Sequence, residues 1–179
     1  MINGENLVPA SIPWGMVGGG RQSQIGYIHR SAALRDGVFK LVAGAFDIDA
    51  QRGKDFGTAI GVDADRCYAD YQSMFATEAQ RPDGIRAVSI ATPNGTHFAI
   101  SKAALEAGLH VVCEKPLCFT TAEAEELRTL AASKNKIVGV TYGYAGHQLI
   151  EQARDMIAAR SEEHTSELQS RLHLVCRLL

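Results

Sequence analysis

A glycine-rich segment near the N-terminus has residue types and a spacing that suit phosphate binding. Gly18, Gly20 and Ser23 form Gly-x-Gly-x-x-Ser after the apolar residues 14–17 and before a helical pattern over residues 24–34. The first glycine permits a tight turn, the second lets the backbone approach a pyrophosphate, and the helix N-terminus offers free N–H groups to the phosphates. The segment therefore predicts a dinucleotide-binding loop, with an ordinary strand-to-helix turn as the alternative.

An acidic residue follows the next apolar run along the chain. Residues 39–46 predict a buried strand, and Asp47 comes directly after it. A carboxylate here can accept hydrogen bonds from both hydroxyls of an adenosine ribose and would repel a 2′-phosphate, which favours NAD over NADP. The number of residues between the glycine loop and Asp47 is larger than usual, because the first helix is long and a turn follows it at residues 35–37. Arg52 nearby keeps NADP as an alternative, and a turn or helix-capping role for Asp47 stays open.

Other classes of protein fit the sequence less well. A phosphate-binding P-loop needs Gly-Lys-Ser/Thr, which the chain lacks, and methyltransferases usually have an acidic residue before the first glycine, where this chain has residues 14–17. The net charge of −2 gives no electrostatic basis for binding nucleic acid or an anionic membrane surface. No apolar run approaches the roughly 20 residues of a membrane span. We therefore expect a cytoplasmic protein with no metal site, since the four cysteines match no usual zinc spacing.

Short apolar runs alternate with helical patterns along most of the chain. Strands that lack polar alternation are typical of a parallel sheet covered by helices on both faces. The sequence therefore predicts an α/β fold, a doubly wound parallel sheet of the Rossmann type. Asp49 and Gly108 are placed to cap two of the helices. Strands are expected near residues 14–17, 39–46, 87–91, 109–113 and 137–141, and helices near 24–34, 50–59, 70–79, 98–107, 122–132 and 147–159.

Two further motifs follow the third and fourth predicted strands. Thr92, Pro93, Asn94 and His97 form Thr-Pro-Asn-x-x-His, and residues 114–116 form Glu-Lys-Pro. The order of these motifs resembles the Gfo/Idh/MocA family, which includes glucose–fructose oxidoreductase, inositol dehydrogenase and related sugar dehydrogenases. The resemblance extends over residues 14–159 and includes the segments 16–20, 25–26, 29–30, 104–111, 142–144 and 152–154.

The resemblance implies a role for each matching residue. Lys115 corresponds to the lysine beside the nicotinamide and the reacting hydroxyl, where an ammonium group would hydrogen-bond the substrate oxygen and stabilise alkoxide character as hydride leaves. Glu114 would orient the nicotinamide side, and Pro116 would fix the turn. Taken singly, Lys115 is typical of a solvated loop and His97 of a structural residue at a helix start. The residues expected to bind the cofactor are Gly18, Gly20, Arg21, Gln24, Ile25, Asp47, Thr92, Pro93, Asn94, His97, Glu114 and Lys115.

The resemblance also implies that the chain is part of a larger enzyme. We expect an NAD(P)-binding domain over residues 1–145 and a linker helix over residues 146–159. In the family a second α/β domain follows, which forms the substrate pocket, supplies an Asp and a His, and usually makes the subunit interface. We expect this domain to be missing here. Residues 160–179 lack the strand–turn–helix rhythm, and residues 160–170 look like the in-frame translation of a sequencing-library adapter. A natural amphipathic helix is the alternative, and we exclude this tail from the functional argument.

These inferences combine into one expectation for function. The parent protein is expected to oxidise a secondary alcohol on a sugar, cyclitol or related polyol by hydride transfer to NAD, and to be a homo-oligomer. The present chain is expected to bind the dinucleotide with weak or no turnover, because positioning of the substrate needs the second domain. A non-catalytic dinucleotide sensor or interaction module is the alternative from a different class.

Overall fold

A parallel β-sheet forms the centre of the molecule. The computed structural model describes residues 10–159, so the predicted tail lies outside the described residues. Every pairing between the named strands is parallel, and their spatial order is β2-β1-β3-β4-β5. This confirms the prediction of a Rossmann-type α/β fold. The strands are β1 (Ile12–Gly18), β2 (Phe39–Ala45), β3 (Ala87–Ala91), β4 (His110–Cys113) and β5 (Val138–Val140).

Helices follow the strands along the chain, close to the predicted positions. Asp49 caps the second helix, because its side chain accepts a hydrogen bond from the Arg52 N–H, and Gly108 ends the fourth helix with a φ of +79°. Both caps confirm the expectations from sequence. Thr120 and Glu123 form a capping box at the start of the fifth helix. The helices are α1 (Gln24–Leu34), α2 (Ala50–Ala59), α3 (Tyr71–Glu78), α4 (His97–Glu106), α5 (Thr121–Lys134) and α6 (Gln148–Ala158).

The outer edge of β2 is completed by a single bridge. Gly44 pairs in parallel with Cys67, and the Tyr68 N–H donates to the Gly44 carbonyl at 2.8 Å. The sequence predicts only a turn-rich stretch here, and the structure shows that this stretch occupies the position of a further strand. The buried guanidinium of Arg66 holds it in place by pairing with the buried carboxylate of Glu78.

The core lies on both faces of the sheet. Trp14 on β1 is only 2% exposed, and its indole N–H donates to the Ser89 hydroxyl on β3 at 3.0 Å, which satisfies a polar group that would otherwise be buried without a partner. A smaller apolar cluster lies where β1 and β2 end. Its buried members are Met16, Phe46, Phe56 and Val62, and the rings of Phe46 and Phe56 meet edge to face.

The chain divides into a compact unit that ends at Thr141 and a second unit that begins at Tyr142. In the second unit α6 follows His147, whose ring accepts a hydrogen bond from the Leu149 N–H, and none of the helix's residues is buried. The helix falls within the stretch expected as a linker, while the division into domains at residue 145 stays a prediction. None of the helices between residues 10 and 159 is long and apolar enough to cross a membrane.

Candidate functional site

The glycine loop after β1 depends on backbone conformations that side chains rarely adopt. Gly18 and Gly19 have φ angles of +74° and +72°. A Cβ atom on Gly18 would lie 2.5 Å from the Ala91 carbonyl oxygen, and one on Gly20 would lie 2.7 Å from the Phe46 carbonyl oxygen. The loop is therefore compressed between the ends of β2 and β3, and only glycine fits these places.

Helix α1 begins directly after this loop. The Ser23 hydroxyl accepts a hydrogen bond from the Gly26 N–H at 3.0 Å, so the residue that departs from the usual glycine serves as the helix cap. Close packing of helix against loop depends on Gly26 instead, because a Cβ atom there would lie 2.3 Å from the Gly19 Cα. The remaining free N–H groups of the first turn and the positive end of the helix dipole are features that suit the binding of an anion.

Arg30 holds the loop from the second turn of α1. Its guanidinium donates from Nη1 to the Gly19 carbonyl at 2.6 Å and lies 4.9 Å from the centre of the Phe56 ring. Partial burial lowers the pKa of Arg30. No sequence motif assigns Arg30 an individual role, but its position one turn after Gly26 on the same helix was the available signal.

Asp47 lies beside the glycine loop, just beyond the end of β2. Its carboxylate accepts hydrogen bonds from Arg52 Nη2 and from the Asp49 N–H, both at 2.9 Å. The hydrogen bond from Arg52 is the main reason that the pKa of Asp47 is lowered. A Cβ atom on Gly20 would lie 3.8 Å from Asp47 Oδ2, which shows how close the carboxylate is to the loop. Asp49, and not Asp47, caps α2. The Asp47 side chain is half-exposed at the loop.

The Thr-Pro-Asn-x-x-His motif follows β3. Pro93 and Asn94 are exposed in a short turn, whereas His97 is fully buried at the start of α4. The ring of His97 lies between two backbone carbonyl oxygens: Nδ1 is 2.7 Å from that of Pro116, and Nε2 is 2.9 Å from that of Thr92. His97 thus joins the loops after β3 and β4, and any influence that it has on a ligand passes through those loops.

The Glu-Lys-Pro motif follows β4, and its first two side chains have opposite environments. The Glu114 carboxylate accepts hydrogen bonds from Thr141 Oγ1 at 2.6 Å, His29 Nε2 at 3.1 Å and the Lys115 N–H at 3.1 Å. Burial opposes ionisation of Glu114, but the hydrogen bonds from Thr141 and His29 outweigh it and lower its pKa. The Lys115 side chain is exposed and has no ion-pair partner among residues 10–159, and the Lys115–Pro116 peptide bond is cis.

All these segments meet at the carboxyl ends of the parallel strands. Gly18 pairs with Ala91 in the sheet, and the Glu114 N–H donates to the Ile90 carbonyl at 3.0 Å, so the ends of β1, β3 and β4 lie side by side. The chain leaves β1 toward β2 on one side and returns to β3 on the other, and such a switch point is where open α/β sheets have their ligand-binding crevice. The predicted residues of the first turn of α1 and the loop before it, Arg21, Gln24 and Ile25, are exposed here.

This crevice has the features that a dinucleotide requires. Glycines leave room for a pyrophosphate, a helix N-terminus faces it, and Asp47 provides a carboxylate beside it. The sequence model of the Gfo/Idh/MocA oxidoreductase family, whose fold is an NAD-binding Rossmann fold, matches residues 12–142. The chain belongs to this family. Residues 12–142 therefore match the NAD-binding Rossmann fold of this family.

Relatives in the family are much longer than the matched region. The chain is 65% identical over 158 residues to the uncharacterized oxidoreductase YfiI of Bacillus subtilis (strain 168), and the match covers 88% of this chain and 40% of that protein. The chain is 73% identical to an oxidoreductase from Pseudomonas syringae whose crystal structure is known, and the two structures superpose with a TM-score of 0.81. The match covers 86% of this chain and 42% of that one. The chain thus spans about two-fifths of these relatives.

A further solved structure shows a relative with ligands. It is an inositol dehydrogenase homolog from Azotobacter vinelandii complexed with NADH and myo-inositol. It is 71% identical to this chain, with a TM-score of 0.82, and the match covers 86% of this chain and 41% of that one.

Proposed function

We propose that this chain is the nucleotide-binding half of a dehydrogenase that oxidises a secondary alcohol of a cyclitol, sugar or related polyol. The observation that carries the proposal is the exposed ammonium group of Lys115, which shares one sheet edge with the glycine loop and Asp47. The Azotobacter vinelandii relative, complexed with NADH and myo-inositol, supports both the cofactor and the substrate class.

In this proposal each segment contacts a different part of NAD. The backbone N–H groups of residues 18–20 and of the first turn of α1, with Arg21, Gln24 and Ile25 around them, hold the pyrophosphate. Asp47 accepts hydrogen bonds from the adenosine ribose. Residues 92–94 extend along the cofactor toward the nicotinamide.

Lys115 is the proposed catalytic residue. NAD, when bound, supplies the hydride acceptor. The Lys115 ammonium would donate a hydrogen bond to the substrate hydroxyl oxygen and stabilise the negative charge that develops there as the C–H bond breaks. The hydroxyl proton would pass to a base of the second domain that the family resemblance implies. The chain alone would show weak or no turnover, because Lys115 is only one member of the substrate site and the substrate must also be positioned.

The cofactor part of the proposal is tested by titrating the chain with NADH and NADPH and following nicotinamide fluorescence. Asp47→Ala should weaken NADH binding by about tenfold, because charge-assisted hydrogen bonds to the ribose are lost. The same change should reduce the preference for NADH over NADPH. It removes a negative charge and also frees Arg52, which pairs with Asp47 in the unchanged chain.

Asp55→Ala is a matched control, since Asp55 is an exposed aspartate of α2 that pairs only with Gln51 among the described side chains. It should leave both affinities unchanged. Equal NADH affinity in the Asp47→Ala variant would contradict the role of Asp47. Turnover of myo-inositol or another polyol by the isolated chain would contradict the proposal that the chain alone is inactive.

A further inference from the structure

Three protein donors bind the Glu114 carboxylate. Oε1 accepts from His29 Nε2 on α1 and from the Thr141 hydroxyl just after β5, and Oε2 accepts from the Lys115 N–H. The His29 side chain is 5% exposed and that of Glu114 is 15% exposed. Because two of these donors come from segments far away in sequence, Glu114 supports its own loop.

His29 connects this support to the pyrophosphate loop. Gly26 and His29 are the buried residues of α1, and their i,i+3 spacing places them on the same face of the helix. Gly26 packs against Gly19 of the glycine loop, while His29 reaches Glu114, 85 residues away in sequence. One helix face therefore contacts both the loop that precedes it and the loop that carries Lys115.

We propose that His29 is a positioning residue for the nicotinamide end of the site. With Thr141, it fixes the Glu114 carboxylate, and Glu114 in turn fixes the backbone of Lys115 relative to α1. This inference rests on the proposed function, since it assumes that the nicotinamide lies beside Lys115. Its specific consequence is that loss of His29 should affect the nicotinamide end of a bound cofactor and spare the adenosine and pyrophosphate end.

NADH and ADP-ribose separate these two ends, because ADP-ribose has the adenosine, the pyrophosphate and the second ribose but no nicotinamide. Isothermal titration of the full 179-residue chain with each ligand gives the ratio of the two dissociation constants. His29→Leu should weaken NADH binding by about fivefold, at the low end of coupling between sites. Its affinity for ADP-ribose should stay within about twofold. Thr141→Val removes the second donor at almost constant volume and should act in the same direction.

Conservative variants distinguish the hydrogen bond from simple packing. His29→Gln keeps an N–H donor near the position of Nε2, and Thr141→Ser keeps the hydroxyl, so both should restore most of the NADH affinity. Glu78→Gln alters the buried Arg66 pair, far along the chain from this network, and should leave the ratio unchanged even if the chain becomes less stable. Circular dichroism checks that each variant is folded.

The outcomes separate this inference from the proposed function. If His29→Leu and Thr141→Val weaken both ligands equally, or neither, His29 has only a structural role and the inference is overturned. If the wild-type chain binds ADP-ribose as tightly as NADH, the nicotinamide gains nothing from the Lys115 loop, which overturns the inference and leaves dinucleotide binding intact. If the wild-type chain binds neither ligand, the proposed function itself fails. If His29→Leu does not fold, the affinities of Thr141→Val and His29→Gln for the two ligands test the inference instead.

Discussion

The two loops that meet at the sheet edge are built in different ways. The glycine loop is shaped by backbone contacts: two positive φ angles, and a helix that lies against it because Gly26 has no side chain. The Lys115 loop is shaped by side chains, because Glu114 and His97 connect it to segments far away in sequence. The first loop should therefore be sensitive to added volume as well as to the loss of its hydrogen bond from Arg30, whereas the second should be sensitive to the loss of hydrogen bonds alone.

Two neighbouring residues of α1 contact the two loops. Arg30 donates to the carbonyl of Gly19 in the glycine loop, and His29 contacts Glu114 in the Lys115 loop. A single helix thus contacts both loops through consecutive residues. Variants of α1 can separate the two halves of the site, because each side chain acts on one loop.

The largest effect is expected at Gly26. In a Gly26→Ala variant the new methyl group would lie 2.3 Å from the Gly19 Cα and 2.4 Å from its carbonyl oxygen, and backbone atoms would have to move. Overpacking of this kind should lower the free energy of unfolding by about 3 kcal/mol. It should also abolish measurable NADH binding, because α1 can no longer lie against the loop. Urea unfolding and a fluorescence titration with NADH measure the two effects.

Gly139→Ala in β5 is the matched control for this variant. The nearest atom to its new methyl group would be the Val111 carbonyl oxygen at 3.9 Å, an ordinary van der Waals contact. We expect unchanged NADH affinity in the control. Normal binding by Gly26→Ala would show that the glycine loop tolerates volume, and the contrast between the two loops would be wrong.

A smaller effect is expected at Arg30. Arg30→Met keeps most of the contact with Phe56 but leaves the Gly19 carbonyl without its donor. NADH and ADP-ribose should both bind about tenfold more weakly, the cost of losing one hydrogen bond to a charged group. Isothermal titration with the two ligands measures this, and Arg35→Met, at the exposed end of α1, is the control. A change confined to NADH would assign Arg30 to the Lys115 loop instead.

The smallest effect is expected from pH, at Glu114. Its lowered pKa means that the ionised network stabilises the fold fully above the ordinary carboxyl value of about 4.3 and loses this contribution as the pH falls through the lowered value. Glu114→Gln should therefore lower the Tm by about 3 °C at pH 7. The difference from wild type should shrink in acid, as measured by circular dichroism melts. A Tm difference that does not depend on pH would show that the charge of Glu114 contributes nothing.

The sequence predicted the parts of the molecule that local rules govern. The five strands follow from their apolar runs, and Asp49 and Gly108 cap helices as their types suggest. The glycine loop was also predictable, because its requirements are steric and lie within a few residues. At its third position Ser23 caps α1, and the close contact with the loop belongs to Gly26.

Long-range side-chain contacts were not predictable in this way. The bridge between Gly44 and Cys67 lies next to the buried Arg66–Glu78 pair, and no strand-like sequence pattern predicts the bridge. Likewise, nothing in a single sequence indicates that His29 reaches Glu114 across 85 residues. The site residues assigned by resemblance stay proposals, and the structure shows which of them are exposed at the crevice and which, like His97, lie beneath it.

The indole of Trp14 gives the chain an optical reporter beside its ligand site. Trp14 is the only tryptophan in the sequence, so its emission has a single source. It is buried on β1, four residues before Gly18, and its indole N–H donates to the Ser89 hydroxyl on β3. Tryptophan emission overlaps the absorption of reduced nicotinamide. The efficiency of energy transfer from this one donor therefore measures the distance from Trp14 to the nicotinamide ring. The same emission reports whether the centre of the sheet is intact.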